Sequence, residues 1–209
     1  MIHLNIGDCR VDILPVVNGL ACEAEKVKEA YGNYEAYGAS LGIEALDALR
    51  KRDRESLETM EVSELDVIYA KKMSVFGDVI TPSPAFCEIV DLCREDGIEV
   101  IPLDMNDYDY DTAYMDCVKA FEFTSEHRLA KKGLRKKMDA STPEELAAMW
   151  DEHISSVKGY GKLNRRREEH IAAEICDTAK YRSSLLAVVE TERVKGILPL
   201  LEGSDAKQR

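Results

Sequence analysis

Two arginines and a small set of carboxylates are the residues of this chain best placed, by type and spacing, to do chemistry. Asp104 ends one apolar run, EVIPLD, and Glu190 ends another, LLAVVE, with Glu192 and Arg193 just behind it. Arg167 shares a helical face with Ile171 and Ile175, four and eight residues on, and Asn18-Gly19 breaks an earlier run, ILPVV. Carboxylates set among guanidinium groups can form a structural ion-pair network, or they can line a pocket whose arginines take a small anionic ligand. Asp104, Glu190 and Glu192 could also share Mg²⁺ or Mn²⁺ bound at about 2.0–2.6 Å, which needs two of them within about 5 Å. The candidate ligand-binding set is therefore Asn18, Asp104, Arg167, Glu190, Glu192 and Arg193. No catalytic residue, metal or cofactor is assigned.

Other chemical signals are thinner. His3, His127, His153 and His170 are dispersed, and none falls at a strand end; His153 and His170 are read as partly exposed structural residues on helices. The chain has no HExxH, GxSxG, Walker A loop or GxGxxG. Asp104, Asn106, Asp107, Asp109 and Asp111 offer hard oxygens, but the sixth position from Asp107 is Thr112 and no Glu closes a twelve-residue loop. That run is read as a solvated loop. The six cysteines contain no CxxC pair, and buried free thiols are the expectation.

Placing the candidate residues together requires a particular set of elements. The stretch Arg165 to Leu201 reads as helix, buried strand, helix: Ile171, Ile175 and Ala179 at helical spacing, a solid apolar run Leu185 to Val189, then Thr191 as a helix start before Val194, Ile197 and Leu198. A strand apolar on both faces between amphipathic helices is the repeating unit of a parallel sheet. Upstream, Ile2 to Ile6 and Arg10 to Val17 form an N-terminal hairpin about Gly7-Asp8, and Asn18-Gly19 closes a strand-to-helix loop before Ala21 to Tyr31. Tyr34 to Leu41 is a short strand candidate. Helices are expected at Ile43 to Leu57 and Ser63 to Phe76, and another starts with Ser83 as cap and Pro84 at its first position. Glu99 to Leu103 is a strand, and Thr112 to Phe123 a helix. The fold class is α/β, a mostly parallel central sheet flanked by helices. In open parallel sheets ligands bind beyond the carboxyl ends of the strands, where Asn18, Ser40, Asp104 and Glu190 are delivered. A helix entering from about Asn164 would put Arg167 in its first turn at that same edge.

Residues at about 125–167 differ in character. Arg128, Lys131, Lys132, Arg135, Lys136 and Lys137 crowd one segment, Lys162, Arg165, Arg166 and Arg167 another, and Thr142-Pro143-Glu144-Glu145 is a capping box between them. This is a helical excursion from the sheet, its charges either a solvated face or a grip on an acidic partner. Trp150 belongs to the core or to a subunit interface. The 209 residues, 45% apolar, fit one domain over 1–202 with a loose tail at 203–209. A net charge of −12 argues against general nucleic-acid binding and against an anionic membrane surface. With no spanning apolar run and no basic-then-apolar leader, a cytoplasmic protein is expected, with a homo-oligomer as its expected assembly.

The same residues resemble the TraB/PrgY family, in the fold group of erythromycin-esterase-like and ChaN-like proteins. Arg167 with Ile171-Ala172, the run Leu186 to Val189 and Val194-Lys195-Gly196-Ile197 match its terminal pattern; ILPVVNG is similar to its first strand and GxxH motif, and EVIPLDMNDYD to its strand ending in an aspartate. The matches span about Arg10 to Leu201. What the resemblance implies is a TraB-like α/β domain in which Asp104 and Arg167 carry over, while some relatives are proposed metal-dependent hydrolases. The departures fall on the ligands: Asn18 and Arg193 stand where the family has histidines, Glu190 and Glu192 replace glycines, Ser40 lies near a family acid, and Met105 replaces an arginine. Asn donates weakly to a metal and Arg not at all. The expectation is a non-catalytic binding or regulatory protein with a polar or anion pocket at the carboxyl edge. The alternatives are a metal-dependent hydrolase with carboxylate ligands and a partner-binding module using the basic helices.

Overall fold

Alternation in one segment and solid apolar character in the next build the first two strands, β1 (Ile2–Ile6) and β2 (Cys9–Val16), which pair antiparallel about Gly7, whose φ of 58° suits a glycine. The computed structural model describes residues 1–52, 63–122 and 125–208, with no side-chain description at 204–208. After the hairpin come α1 (Glu23–Ala30), β3 (Ala36–Ala39), α2 (Ile43–Lys51), α3 (Glu64–Met73), α4 (Pro84–Glu95) and β4 (Ile101–Pro102). Then follow α5 (Asp107–Cys117), α6 (Ser125–Arg135), α7 (Pro143–Ser155), α8 (Lys158–Ala179), β5 (Ser184–Glu190) and α9 (Thr191–Gln208). The sheet order is β1-β2-β5-β3-β4, with every pair parallel except β1 with β2.

β5 is the central strand, and its two faces explain its sequence. Leu185, Ala187 and Val189 meet Ile171 and Ile175 of α8 and Ile197 and Leu201 of α9. Leu186 and Val188 face the other way, toward Val27 of α1, Leu46 of α2 and Phe86 and Ile89 of α4. Each buried Leu or Val contributes about 1.5–3 kcal/mol, so the four in this run, with Ala187 between them, favour a strand covered by a helical layer on each face. No helix among the described residues is long and apolar enough to cross a membrane.

Several expectations need correction. The strand expected over Glu99–Leu103 is reduced to Ile101–Pro102, an edge strand in which Pro102 has no N–H to donate. The acidic run is not a loop: Asn106 accepts from the Asp109 amide at 2.9 Å and caps α5, so Asp107 and Asp109 occupy a first turn whose dipole favours them. The helix expected from Thr112 thus starts at Asp107. The helix carrying Arg167 starts at Lys158 rather than Asn164, because the buried Glu122 carboxylate accepts from the Gly159 amide at 3.1 Å in its first turn. Glu145 accepts from the Ser141 amide at 2.7 Å rather than from Thr142, whose own hydroxyl caps Glu145 as expected. Ser83 makes no cap bond; its hydroxyl instead accepts from the Gly19 amide at 3.1 Å. Leu57 and Phe123 lie outside the described residues.

Two single residues settle in the core. Trp150 is 8% exposed and packs with Ile68 and Ala130. Its ring lies against Gly133, where a Cβ would come within 2.8 Å of it. His153 is buried, not partly exposed, with Nε2 2.9 Å from the Leu129 carbonyl. The six cysteines are free; Cys22 alone among them is exposed.

Candidate functional site

Parallel pairing lines up the strand ends. Val16 of β2 lies opposite Glu190 of β5, and Ala39 of β3 lies opposite both Val188 and Pro102. The chain leaving each strand is tied to its neighbour: the Ser40 amide donates to the Val188 carbonyl at 3.0 Å, Leu103 to Ala39 at 2.9 Å and Asp104 to Leu41 at 3.2 Å. Gly42 closes this corner. A Cβ there would stand 2.3 Å from the Met105 carbonyl oxygen, so a glycine is what lets the loops after β3 and β4 touch.

Onto this corner α8 delivers Arg167. Its Nε and Nη2 donate to Asp104 Oδ2 at 2.9 and 2.5 Å, and Nη2 reaches Glu190 Oε2 at 3.5 Å. Ser40 accepts from the Glu190 amide at 3.1 Å and places its hydroxyl 3.4 Å from Glu190 Oε2. Asp104, Arg167, Ser40 and Glu190 therefore form one bonded group from four separate segments. Arg167 does this from the middle of α8, not from a first turn.

Burial sets the electrostatics. It pushes the Glu190 carboxyl up to about 8, against the pull of Arg167 and with the help of Glu192 and Asp104. Burial also raises Glu192. Burial opposes the charge on Arg167 as well, but Glu190 and Asp104 more than offset it and hold the guanidinium firmly protonated. Glu192 Oε2 is buried and accepts from no donor among the described residues.

The remaining predicted residues divide. Arg193 is 2% exposed and is not bonded to Asp104, donating instead to Glu168 Oε1 at 3.2 Å and to Asp151. Burial lowers its pKa to about 10, which leaves it charged at neutral pH. Gly196 makes room for this pair, since a Cβ there would fall 2.0 Å from Glu168 Oε2. Asn18 is exposed on the loop after β2 and is not bonded to the group. Asp151 and Glu168 were missed by sequence reasoning; a glycine inside the apolar pattern of a helix, Gly196, was the available sign of a close approach.

A metal centre of the kind the resemblance implies does not fit these donors. Asn18 is an exposed amide, Arg193 a paired guanidinium, and the Asp104 carboxylate is engaged by Arg167. Among the described residues no three of His, Cys, Asp and Glu are grouped so as to hold a metal ion. The basic residues Arg128, Lys131, Lys132, Arg135, Lys136 and Lys137 are all exposed on and beyond α6. Arg165 and Arg166 pair with Glu169 and Asp116 at 3.2 and 3.0 Å on the outer face of α8, exposed contacts of small energetic weight. Compared with known proteins, the chain matches no family model, no curated protein and no solved structure.

Proposed function

We propose that the chain is a TraB-like domain without the family's metal-dependent hydrolysis, acting as a binding or regulatory protein that takes a small polar ligand at the carboxyl edge of its sheet. The observation that carries this is the place of Arg167. Its guanidinium stands between Asp104 and Glu190, so a hydrolase using those carboxylates for a metal ion would first have to release it. The resemblance supports the reading, because Asp104 and Arg167 are the two residues it carries over and they are bonded to each other. Ser40 stands near a family acid, and Glu190 of the neighbouring strand supplies a carboxylate against it.

The charges narrow the ligand. Both arginines already donate to carboxylates, so the small anion expected from the sequence would have to displace Asp104 or Glu190. Unused capacity at this edge lies in accepting hydrogen bonds, as at Glu192 Oε2. A ligand that presents donors is favoured over an oxyanion. A homodimer belongs to the same proposal, and light scattering on the purified chain reads it directly.

The test is a thermal-melt titration of the purified chain with sodium sulfate, MgCl₂, MnCl₂ and a panel of neutral and cationic polar compounds, repeated on Glu190→Gln and on Lys180→Ala at the opposite end of β5. A stabilising compound whose effect is lost in the first variant and kept in the second supports the proposal. Stabilisation indifferent to Glu190→Gln, or stoichiometric metal in the purified protein by elemental analysis, overturns it.

A further inference from the structure

Three buried oxygens near this edge accept from no donor among the described residues: Glu23 Oε2, Tyr69 Oη and Glu192 Oε2. They come from three helices. Glu23 opens α1, which follows β2, and Glu192 sits in the first turn of α9, which follows β5. Because β2 and β5 are parallel neighbours, both helices begin at the same rim. Tyr69 of α3 packs over the chain leaving β2, in contact with the cluster of Val17 and Leu20. Glu23 is fully buried, and only its other oxygen is used, accepting from Lys26 Nζ at 2.6 Å. Leaving a buried acceptor unmet is costly, and three around one rim mark a place shaped for donors.

We infer that the ligand at this edge is an organic cation with a primary ammonium head, held by Glu192, Glu23 and Tyr69 with its hydrocarbon stem against Val17 and Leu20. This rests on the binding reading above. An ammonium group carries three donors and no acceptor, directed to the corners of a tetrahedron. That matches acceptors arriving from three separate helices, whereas a planar guanidinium wants its acceptors in one plane. A bare divalent ion would need carboxylates drawn together as ligands, and Glu23, Glu190 and Glu192 are not so grouped. An anion would meet the carboxyl groups of Glu23 and Glu192 at two of the three contacts.

The charges around Glu190 and Glu192 give the inference a second readout. Facing them are Arg167 of α8 with Asp104 and Ser40 at the strand ends, Tyr69 of α3, and Glu23 with Lys26 of α1, itself paired to Glu144 of α7 at 3.4 Å. Burial keeps Glu190 protonated up to about pH 8. Burial raises Glu192 as well, and an ammonium seated against its carboxyl favours the ionised form, so affinity rises with pH and a proton is released on binding.

The experiment is calorimetric titration of the intact chain with n-butylammonium chloride, with 1-butanol and sodium butyrate as controls, in wild type, Glu192→Gln, Glu23→Gln and Tyr69→Phe. Folding of each variant is checked by its melt; Tyr69→Phe removes only a hydroxyl and keeps the test open if a Glu variant fails to fold. Butylammonium is expected to bind with about tenfold loss in each Glu variant and a few-fold loss in Tyr69→Phe. Wild-type affinity should rise about tenfold or more from about pH 6 to about pH 9, with proton release in buffers of different ionisation heat. Equal binding of 1-butanol, or butylammonium binding unchanged by all three substitutions, overturns the inference. If butylammonium fails while sulfate or a neutral compound binds in a Glu190-dependent way, the ammonium class falls and the edge site stands. If no compound shows Glu190 dependence, both fall.

Discussion

Glu190→Gln separates a neutral from a charged side chain at the centre of the group without changing its size. The wild-type carboxyl stays protonated up to about 8 because it is buried, whereas in the unfolded chain a glutamate ionises near 4.3. A folded-state value raised above the unfolded one stabilises the fold fully below the unfolded value, and that stabilisation is lost as pH rises through the window to the folded value. Each pH unit in the window is worth about 1.4 kcal/mol. Glu192 draws on the same proton, so the net loss for wild type relative to the variant is on the order of 3 kcal/mol. For a chain of this length that is roughly 6–12 °C of melting temperature. The assay is a pair of thermal melts at steps from about pH 4 to about pH 9 in matched ionic strength. At the acid end both chains carry a neutral side chain against Ser40 and Arg167 and should melt together. With rising pH the wild type should fall behind Glu190→Gln and level off above about pH 8. Parallel profiles, or a variant that loses stability as pH rises, would refute the argument that burial rather than Arg167 governs this carboxyl.

Arg167→Met leaves the Asp104 carboxylate buried without its cation and should cost about 3–5 kcal/mol by urea denaturation; Arg165→Ala, on the exposed face of the same helix, should change stability by about 0.5 kcal/mol or less, and equal effects would deny the group its place in the fold. Gly196→Ala should gain up to about 1 kcal/mol of helix propensity yet destabilise the chain overall, because the new Cβ falls on Glu168 and drives it off Arg193; a higher melting temperature would mean that α8 and α9 are not that close. Gly133→Ala pushes a methyl group into the Trp150 ring, and with one tryptophan in the chain its emission should shift to the red with a loss of about 1–3 kcal/mol; unchanged fluorescence would place the indole elsewhere.

What could be read from sequence follows from what each feature depends on. β5 was legible because both its faces are covered, which demands an unbroken apolar run. Asp104 and Glu190 were legible because polar residues that end such runs fall at the carboxyl edge. Arg167 lies in the middle of α8 and not in its first turn, six residues further from the start than expected, yet it reaches Asp104 because its face is set by its spacing to Ile171 and Ile175 and does not change with the start. The start itself was hidden, since the group that satisfies the Gly159 amide is Glu122, 37 residues away. Arg193 looked like a second site arginine for the same reason: its partners Asp151 and Glu168 lie 42 and 25 residues upstream, and nothing local points to them. The acidic run misled because carboxylates read as solvated loop also suit the first turn of a capped helix.

Arg167 and Glu168 are adjacent on α8, and each anchors a different cluster, one at the sheet edge and the other against Arg193 of α9. A helix of 22 residues, about 33 Å long, moves as a stiff rod. Any roll that loosens its grip on the strands must also disturb its hold on the last helix. Substitutions at the two clusters should therefore be energetically interdependent although the clusters share no bond, and a double-mutant cycle between the uncharged Ser40 of one and Asp151 of the other gives the size of that linkage.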